Sequence, residues 1–158
     1  MTDDVTTKHA DPDDLARAKA VLLGDDELGC AACRTDDATG RTLTLTGTGR
    51  GVRPLLQWLA AGQCLDGFSA ADRVVGKGAA LLYAKLGVAA VYAQTMSEAG
   101  LATLRANGIA AGYGTLVPMI LNRAGDGMCP IERSVAAIDS PAAAEPAIRA
   151  AVAELMRR

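Results

Sequence analysis

The stretch Asp72-Arg73-Val74-Val75-Gly76-Lys77-Gly78-Ala79-Ala80-Leu81-Leu82 joins two unlike patterns at a pair of glycines. Ahead of the glycines, Asp72 to Val75 reads as a short strand ending on two β-branched residues. Behind them, Ala79 to Leu86 is rich in helix formers and apolar nearly all round, a pattern that suits a helix covered by other layers. The next apolar run, Val88 to Ala93, reads as a buried strand. Strand, helix and strand in this order predict a right-handed crossover between parallel strands.

Toward the N-terminus, residues 1–10 read as a disordered tail. Asp11-Pro12-Asp13-Asp14 is a helix start, with a capping Asp, Pro in the first turn and acids at the positive dipole end. Leu15, Ala18 and Leu22 give that helix one apolar face, and Gly24 closes it. Leu28 to Arg34 and Arg41 to Thr46 read as a hairpin around Asp36, Asp37 and Gly40. Gly47-Thr48-Gly49-Arg50-Gly51 leads into a helix with Val52, Leu55, Leu56 and Leu59 on one face.

Toward the C-terminus, Ser97 caps a helix that turns Leu101 and Leu104 inward and stops at Asn107-Gly108. Ile109 to Gly112 is a fifth strand. Cys129-Pro130-Ile131-Glu132 precedes a last helix with Ile148, Val152 and Leu155, which Pro146 makes start late or kink. The expected architecture is one α/β domain over residues 11–158, a three-layer α/β/α arrangement around a five-stranded mixed sheet.

Aromatic residues are 3% of the 158, so Ala, Leu, Val and Gly must fill the interior, which favours close helix-on-sheet packing. The net charge of −2 argues against a broad phosphate-collecting face, so neither nucleic acid nor an anionic membrane is an expected partner. No apolar run reaches the ~18 residues of a membrane helix. The polar, acidic Met1 to Asp14 does not read as a signal peptide, and a cytoplasmic location is expected. Cys30, Cys33, Cys64 and Cys129 are then expected as free thiols. Cys30 and Cys33 lie three apart on a strand and so face opposite sides, which disfavours a redox pair.

Helix N-termini carry unpaired N–H groups and partial positive charge, and glycine admits a ligand close to the backbone. Two glycine-rich junctions have this form: Gly47 to Gly51 with Arg50 and Arg53, and Gly76-Lys77-Gly78 directly after a strand. Side by side they would make an anion pocket, with Asp72 near it. Neither matches a Walker loop or a complete dinucleotide fingerprint. The plainer alternative is that the glycines serve tight turns and that Lys77 is solvated. A second cluster runs from Asn122-Arg123 to Cys129-Pro130-Ile131-Glu132. Cys129 at a helix start is a candidate nucleophile with Glu132 as its orienting group or base, and equally a cap with Glu132 closing a capping box. The only histidine is His9, so a histidine-containing zinc site or serine triad in the body is excluded, and no metal or other cofactor is expected.

The segment quoted first resembles a bacterial family known as an uncharacterised domain with a cytidine-deaminase-like fold. Gly49-Arg50-Gly51-Val52-Arg53-Pro54-Leu55-Leu56, Val117-Pro118-Met119-Ile120-Leu121-Asn122-Arg123 and Cys129-Pro130-Ile131-Glu132 carry the same resemblance, which spans residues 15 to 137. The chain departs from the pattern at Gly78, where alanine is usual, and at Arg73, where lysine is usual. The resemblance implies a cytidine-deaminase-like, three-layer fold. In true deaminases two helix N-termini supply the zinc ligands and the general acid/base. The corresponding junctions here are Arg50 to Arg53 and Gly76 to Gly78, where glycines and cations stand instead.

The expected function is binding of an anionic small molecule, a nucleotide or another phosphorylated metabolite, by a binding protein or a zinc-independent enzyme. Arg50, Gly51, Arg53, Asp72, Gly76, Lys77 and Gly78 would hold the ligand, and Asn122, Arg123, Cys129 and Glu132 would close the site. A cysteine-dependent enzyme using Cys129 is one alternative. A regulatory module that associates with a partner or with a second copy through its C-terminal helix is the other.

Overall fold

A computed structural model describes residues 11–157. The expected tail over residues 1–10, with His9, lies outside the described residues. The element order is α1 (Pro12–Leu23), β1 (Leu28–Thr35), β2 (Thr42–Thr48), α2 (Arg53–Ala60), β3 (Ser69–Val75), α3 (Lys77–Leu86), β4 (Ala90–Ser97), α4 (Glu98–Ala106), β5 (Ala110–Val117), α5 (Pro130–Ser134) and α6 (Pro141–Met156).

The strands form one mixed sheet in the order β2-β1-β3-β4-β5. β1 is antiparallel to both β2 and β3, whereas β3, β4 and β5 run parallel. The hairpin and the parallel crossovers follow the expected pattern. Three strands are longer or shifted relative to their sequence signals. β3 begins at Ser69 rather than Asp72, because Ser69, Ala70 and Ala71 are held between β1 and β4 despite their weak strand preference. β4 and β5 start one or two residues late and run on to Ser97 and Val117.

Helices cover both faces of the sheet. Ala18 and Leu22 of α1 pack with Leu28, Ala31, Cys33 and Ala71 on one side. The opposite face carries the larger core, with Leu55 and Trp58 of α2, the apolar body of α3, Leu101 and Leu104 of α4, and Ala144 and Ile148 of α6. Neighbouring residues split between the two cores, as Ala31 and Ala32 or Ala70 and Ala71 do, because successive side chains alternate across a strand. Alanine on both faces of the central strands lets the helices approach closely.

Short polar contacts tie the layers together. Asp11 caps α1 by accepting the Asp13 amide at 2.8 Å. The buried Asp14 carboxylate accepts from the Thr35 amide at 2.9 Å, the Thr35 hydroxyl at 2.6 Å and Arg17 at 2.8 Å, which fastens α1 to the end of β1. Arg73 leaves the sheet on the α1 side and donates to the carbonyls of Leu22, Asp25 and Leu28. α6 begins at Pro141, with Ser140 as its cap, and contains Pro146 in its second turn, so the expected late start does not occur. Glu145 of α6 pairs with Lys85 of α3 and with Arg149, and Arg149 reaches the Leu56 carbonyl of α2. The C-terminal helix is thus bound to its own domain along one face.

No described helix is long and apolar enough to cross a membrane.

Candidate functional site

The carboxyl ends of the parallel strands carry the loops and helix starts where ligands of open α/β sheets usually bind. Gly49 (φ +104°) and Gly51 (φ +61°) fold the chain sharply around Arg50 and aim it into α2. The turn is crowded beneath: a side chain on Gly29 would collide with the Gly49 carbonyl, and one on Gly47 would meet Pro54 and Cys30. No side chain caps α2, and Pro54 removes one of its first-turn donors.

Arg50, Gly51, Val52 and Arg53 form one wall of a cleft of about 750 Å³. Leu121, Asn122, Arg123 and Ala124 come from the loop after β5, Cys129, Pro130 and Ile131 from the start of α5, and Val152 and Leu155 from α6. Arg50, Arg53 and Arg123 have no ion-pair partner among the described residues. No Asp or Glu among the described residues lines the cleft. Asn122 builds its own loop: its Oδ1 accepts the Gly125 amide at 2.8 Å and the Asp126 amide at 3.2 Å, while its Nδ2 donates to Asp126 at 2.9 Å. Asn122 therefore holds Arg123 in place more than it offers itself to a ligand.

The second glycine junction is filled from within. The Glu132 carboxylate lies against the start of α3, with Oε1 accepting the Lys77 amide at 2.6 Å and Oε2 the Gly78 amide at 2.8 Å. Glu132 is 9% exposed. The Lys77 ammonium donates to the Ala136 carbonyl and pairs with Asp139, each at 3.1 Å. The anion expected at Gly76-Lys77-Gly78 is therefore the chain's own carboxylate, and Lys77 is committed to the segment behind α5. α5 stands where a ligand shared by the two helix ends was expected. Its Ile131 contributes to the cleft at α2, and the adjacent Glu132 enters α3.

The expected pairing of Cys129 with Glu132 is not formed. Cys129 precedes α5 without a side-chain capping bond and lines the cleft, while both Glu132 oxygens are taken at α3. The capping box expected within α5 is likewise replaced by a cap on a different helix.

Asp72 does not line the arginine cleft but the one next to it, which shares Arg50. Its side chain is buried, accepting the Tyr83 hydroxyl at 2.6 Å and the Val74 amide at 3.2 Å. It borders a smaller cleft of about 490 Å³ shared with Gly29, Arg50 and Arg73. Burial pushes its carboxyl up to about 7, against the opposing pull of the Tyr83 hydroxyl, nearby amides and Arg73. Burial also raises the Tyr83 hydroxyl and the Cys30 thiol, and Asp72 adds to both shifts. Cys30 faces Asp72 across the β1–β3 pair. Tyr83 was legible only as part of an apolar helix. Its spacing from Asp72 gave no sign of the contact.

A family described as "TM1506: Domain of unknown function (DUF1893)" matches residues 31–152. The chain belongs to the DUF1893 family. A crystal structure of a DUF1893 family protein (TM1506) from Thermotoga maritima is 24% identical, with a TM-score of 0.74 over 96% of this chain and 97% of that one. At that identity the likeness concerns the fold. No curated protein matches the chain. In this DUF1893 chain the four described thiols are unpaired, with Cys30 and Cys33 buried, Cys129 half-buried and Cys64 exposed.

Proposed function

We propose that this DUF1893 chain binds an anionic small molecule in the cleft between α2, the loop after β5, α5 and α6. One observation carries the reading: Arg50 and Arg53 at the start of α2 and Arg123 in the loop after β5 line one cavity that has no acidic side chain among the described residues. Guanidinium groups are planar, permanently charged and suited to carboxylate or phosphate oxygens. Of the cations expected at the site, this reading keeps Arg50, Arg53 and Arg123 and leaves out Lys77.

The fold is, on this reading, deaminase-like. A sheet in which β1 alone runs against the other four strands, with α2 following β2 and α3 following β3, supports it. A deaminase zinc ion does not fit the two helix starts. Arg50, Gly51 and Arg53 offer it no ligand, nor do Gly76, Lys77 and Gly78. The reading is therefore of binding, or of chemistry that uses no deaminase zinc.

A thermal-shift panel of inorganic phosphate, nucleotides and sugar phosphates tests the site. Stabilisation by at least one anion is expected, lost in the Arg53→Ala/Arg123→Ala double variant and kept in Lys77→Ala. No stabilisation by any anion, or equal stabilisation of the double variant, overturns it.

A second reading concerns self-association. β5 is one of the two edge strands, eight residues without charge or proline, and Tyr113 and Leu116 on it are exposed. Such an edge is a template for a second strand, and it replaces the C-terminal helix as the surface for pairing two copies. Size measurements over a concentration series test it. A monomer throughout, or an oligomer undisturbed by Thr115→Lys, overturns it.

A further inference from the structure

Resting on the anion-binding reading of the arginine cleft, we infer that its ligand is a free single-chain amphiphile. The ligand carries a carboxylate or phosphate head on an aliphatic body, and it is not a nucleotide.

The cleft has two chemistries. Its cations are Arg50, Arg53 and Arg123, and its apolar residues include Leu121, Ile131, Val152 and Leu155. Leu121 is 51% exposed and Leu155 38%. Single exposed leucines are ordinary. These two come from separate segments and open on one concavity, joined there by Ile131 and Val152. Covering such a surface is favourable at roughly 25 cal/mol per Å². An inorganic anion would satisfy the arginines and leave that surface in water. The volume of about 750 Å³ also exceeds what a bare phosphate fills, and suits an organic ligand.

A nucleotide is disfavoured by what lines the cleft. Bases are commonly held by stacking on aromatic rings and by hydrogen bonds to their edges. No Trp, Tyr or Phe is among the described lining residues. Trp58, Phe68 and Tyr83 are buried in the core, and Tyr92 lies under the Lys19 ammonium. The cleft's one side-chain amide, Asn122, already serves its own loop. Among the described residues no carboxylate lines the cleft to accept from ribose hydroxyls or an exocyclic amine.

Calorimetric titration of the full chain with octyl phosphate below its micelle concentration tests the inference. Inorganic phosphate, 1-octanol, AMP and phosphatidic-acid vesicles are the comparison arms. Octyl phosphate should bind at least about tenfold more tightly than phosphate, octanol or AMP, the gain of burying a short chain. Leu155→Asn, which adds no charge beside the arginines, should remove most of octyl phosphate's advantage over phosphate. Arg123→Ala should weaken phosphate and octyl phosphate together. AMP binding as tightly as octyl phosphate, or octyl phosphate binding no better than phosphate, overturns the amphiphile and leaves the anion site standing. Binding only to vesicles overturns the free-ligand claim. Absence of binding by every anion overturns the underlying reading itself.

Discussion

Glu132 Oε2 accepts the backbone N–H of Gly78 at 2.8 Å across 54 residues of chain, and its other oxygen takes the Lys77 amide. A carboxylate at the positive end of a helix satisfies donors that otherwise have no partner. Glu132→Ala removes the acceptor from two largely buried amides and should cost about 1–3 kcal/mol. Glu132→Gln keeps one oxygen and should cost less. Urea unfolding of the two variants checks this order, and an unchanged midpoint in Glu132→Ala would contradict the capping role.

The adjacent glycines should respond differently to alanine. At Gly76 a methyl group would overlap the Glu132 carboxylate, so Gly76→Ala must expel the cap and destabilise strongly. At Gly78 the methyl would meet Ile131 Cγ2 at 3.0 Å, with Glu132 Oε2 at 3.3 Å and Ile148 Cδ1 at 3.6 Å. That contact offsets the ~0.5–1 kcal/mol gained from alanine inside a helix, and the net change should be small. Comparing the two melting temperatures decides the matter.

Asp72 makes stability fall as pH rises. Its folded value of about 7 lies above the ordinary 3.8, so the folded chain holds a proton that the unfolded chain releases. The stabilisation is complete below about 4 and lost as pH passes through 7. Asp72→Asn retains an oxygen for the Tyr83 hydroxyl and cannot ionise. It should flatten the decline between pH 4 and 7 and gain on the native chain above pH 7. Denaturation midpoints at several pH values test this.

Asp14 has the opposite sign. Burial alone would raise it, but the Thr35 hydroxyl and amide, with Arg17, hold it below the usual carboxylate range. Its contribution is present above the ordinary value and is lost as pH falls through the folded one. Asp14→Asn should therefore cost on the order of 1 kcal/mol at pH 7 and much less in acid. Parallel unfolding curves at pH 7 and pH 3 give the comparison.

The thiols should separate into two classes. Cys30 and Cys33 are 0% and 1% exposed, whereas Cys64 is exposed and Cys129 lines the cleft. Iodoacetamide followed by mass spectrometry should label Cys64 and Cys129 in the native protein and all four only after unfolding. A cleft ligand should protect Cys129 and not Cys64. Equal labelling of Cys129 with and without ligand would place the ligand elsewhere.

Most elements were readable because their signals are local. Asp11-Pro12 starts α1, Ser97 caps α4 through the Gly100 amide, and Asn107-Gly108 ends α4, with Gly108 in a left-handed conformation. The start of β3 was not readable, since Ser69-Ala70-Ala71 has no strand character until flanking strands pair with it. At the site, the Arg50–Arg53 turn and the Asn122–Cys129 segment were identified as candidates, and the fold brings them to one cleft. The partners of Lys77, Ala136 and Asp139, were not readable because they lie about sixty residues away along the chain.

The sequence by itself determined the alternation of strands and helices, the glycine turn at Arg50 and the lack of a histidine outside the tail, all of which depend on residue type and near neighbours. Only the tertiary structure decided which charge meets which helix end. Glu132 and an external anion compete for the same amides at Lys77 and Gly78. Proximity gives that place to Glu132, since α5 folds against α3 and delivers the carboxylate already oriented. The start of α2 receives no such carboxylate, and its arginines stay open to the cleft.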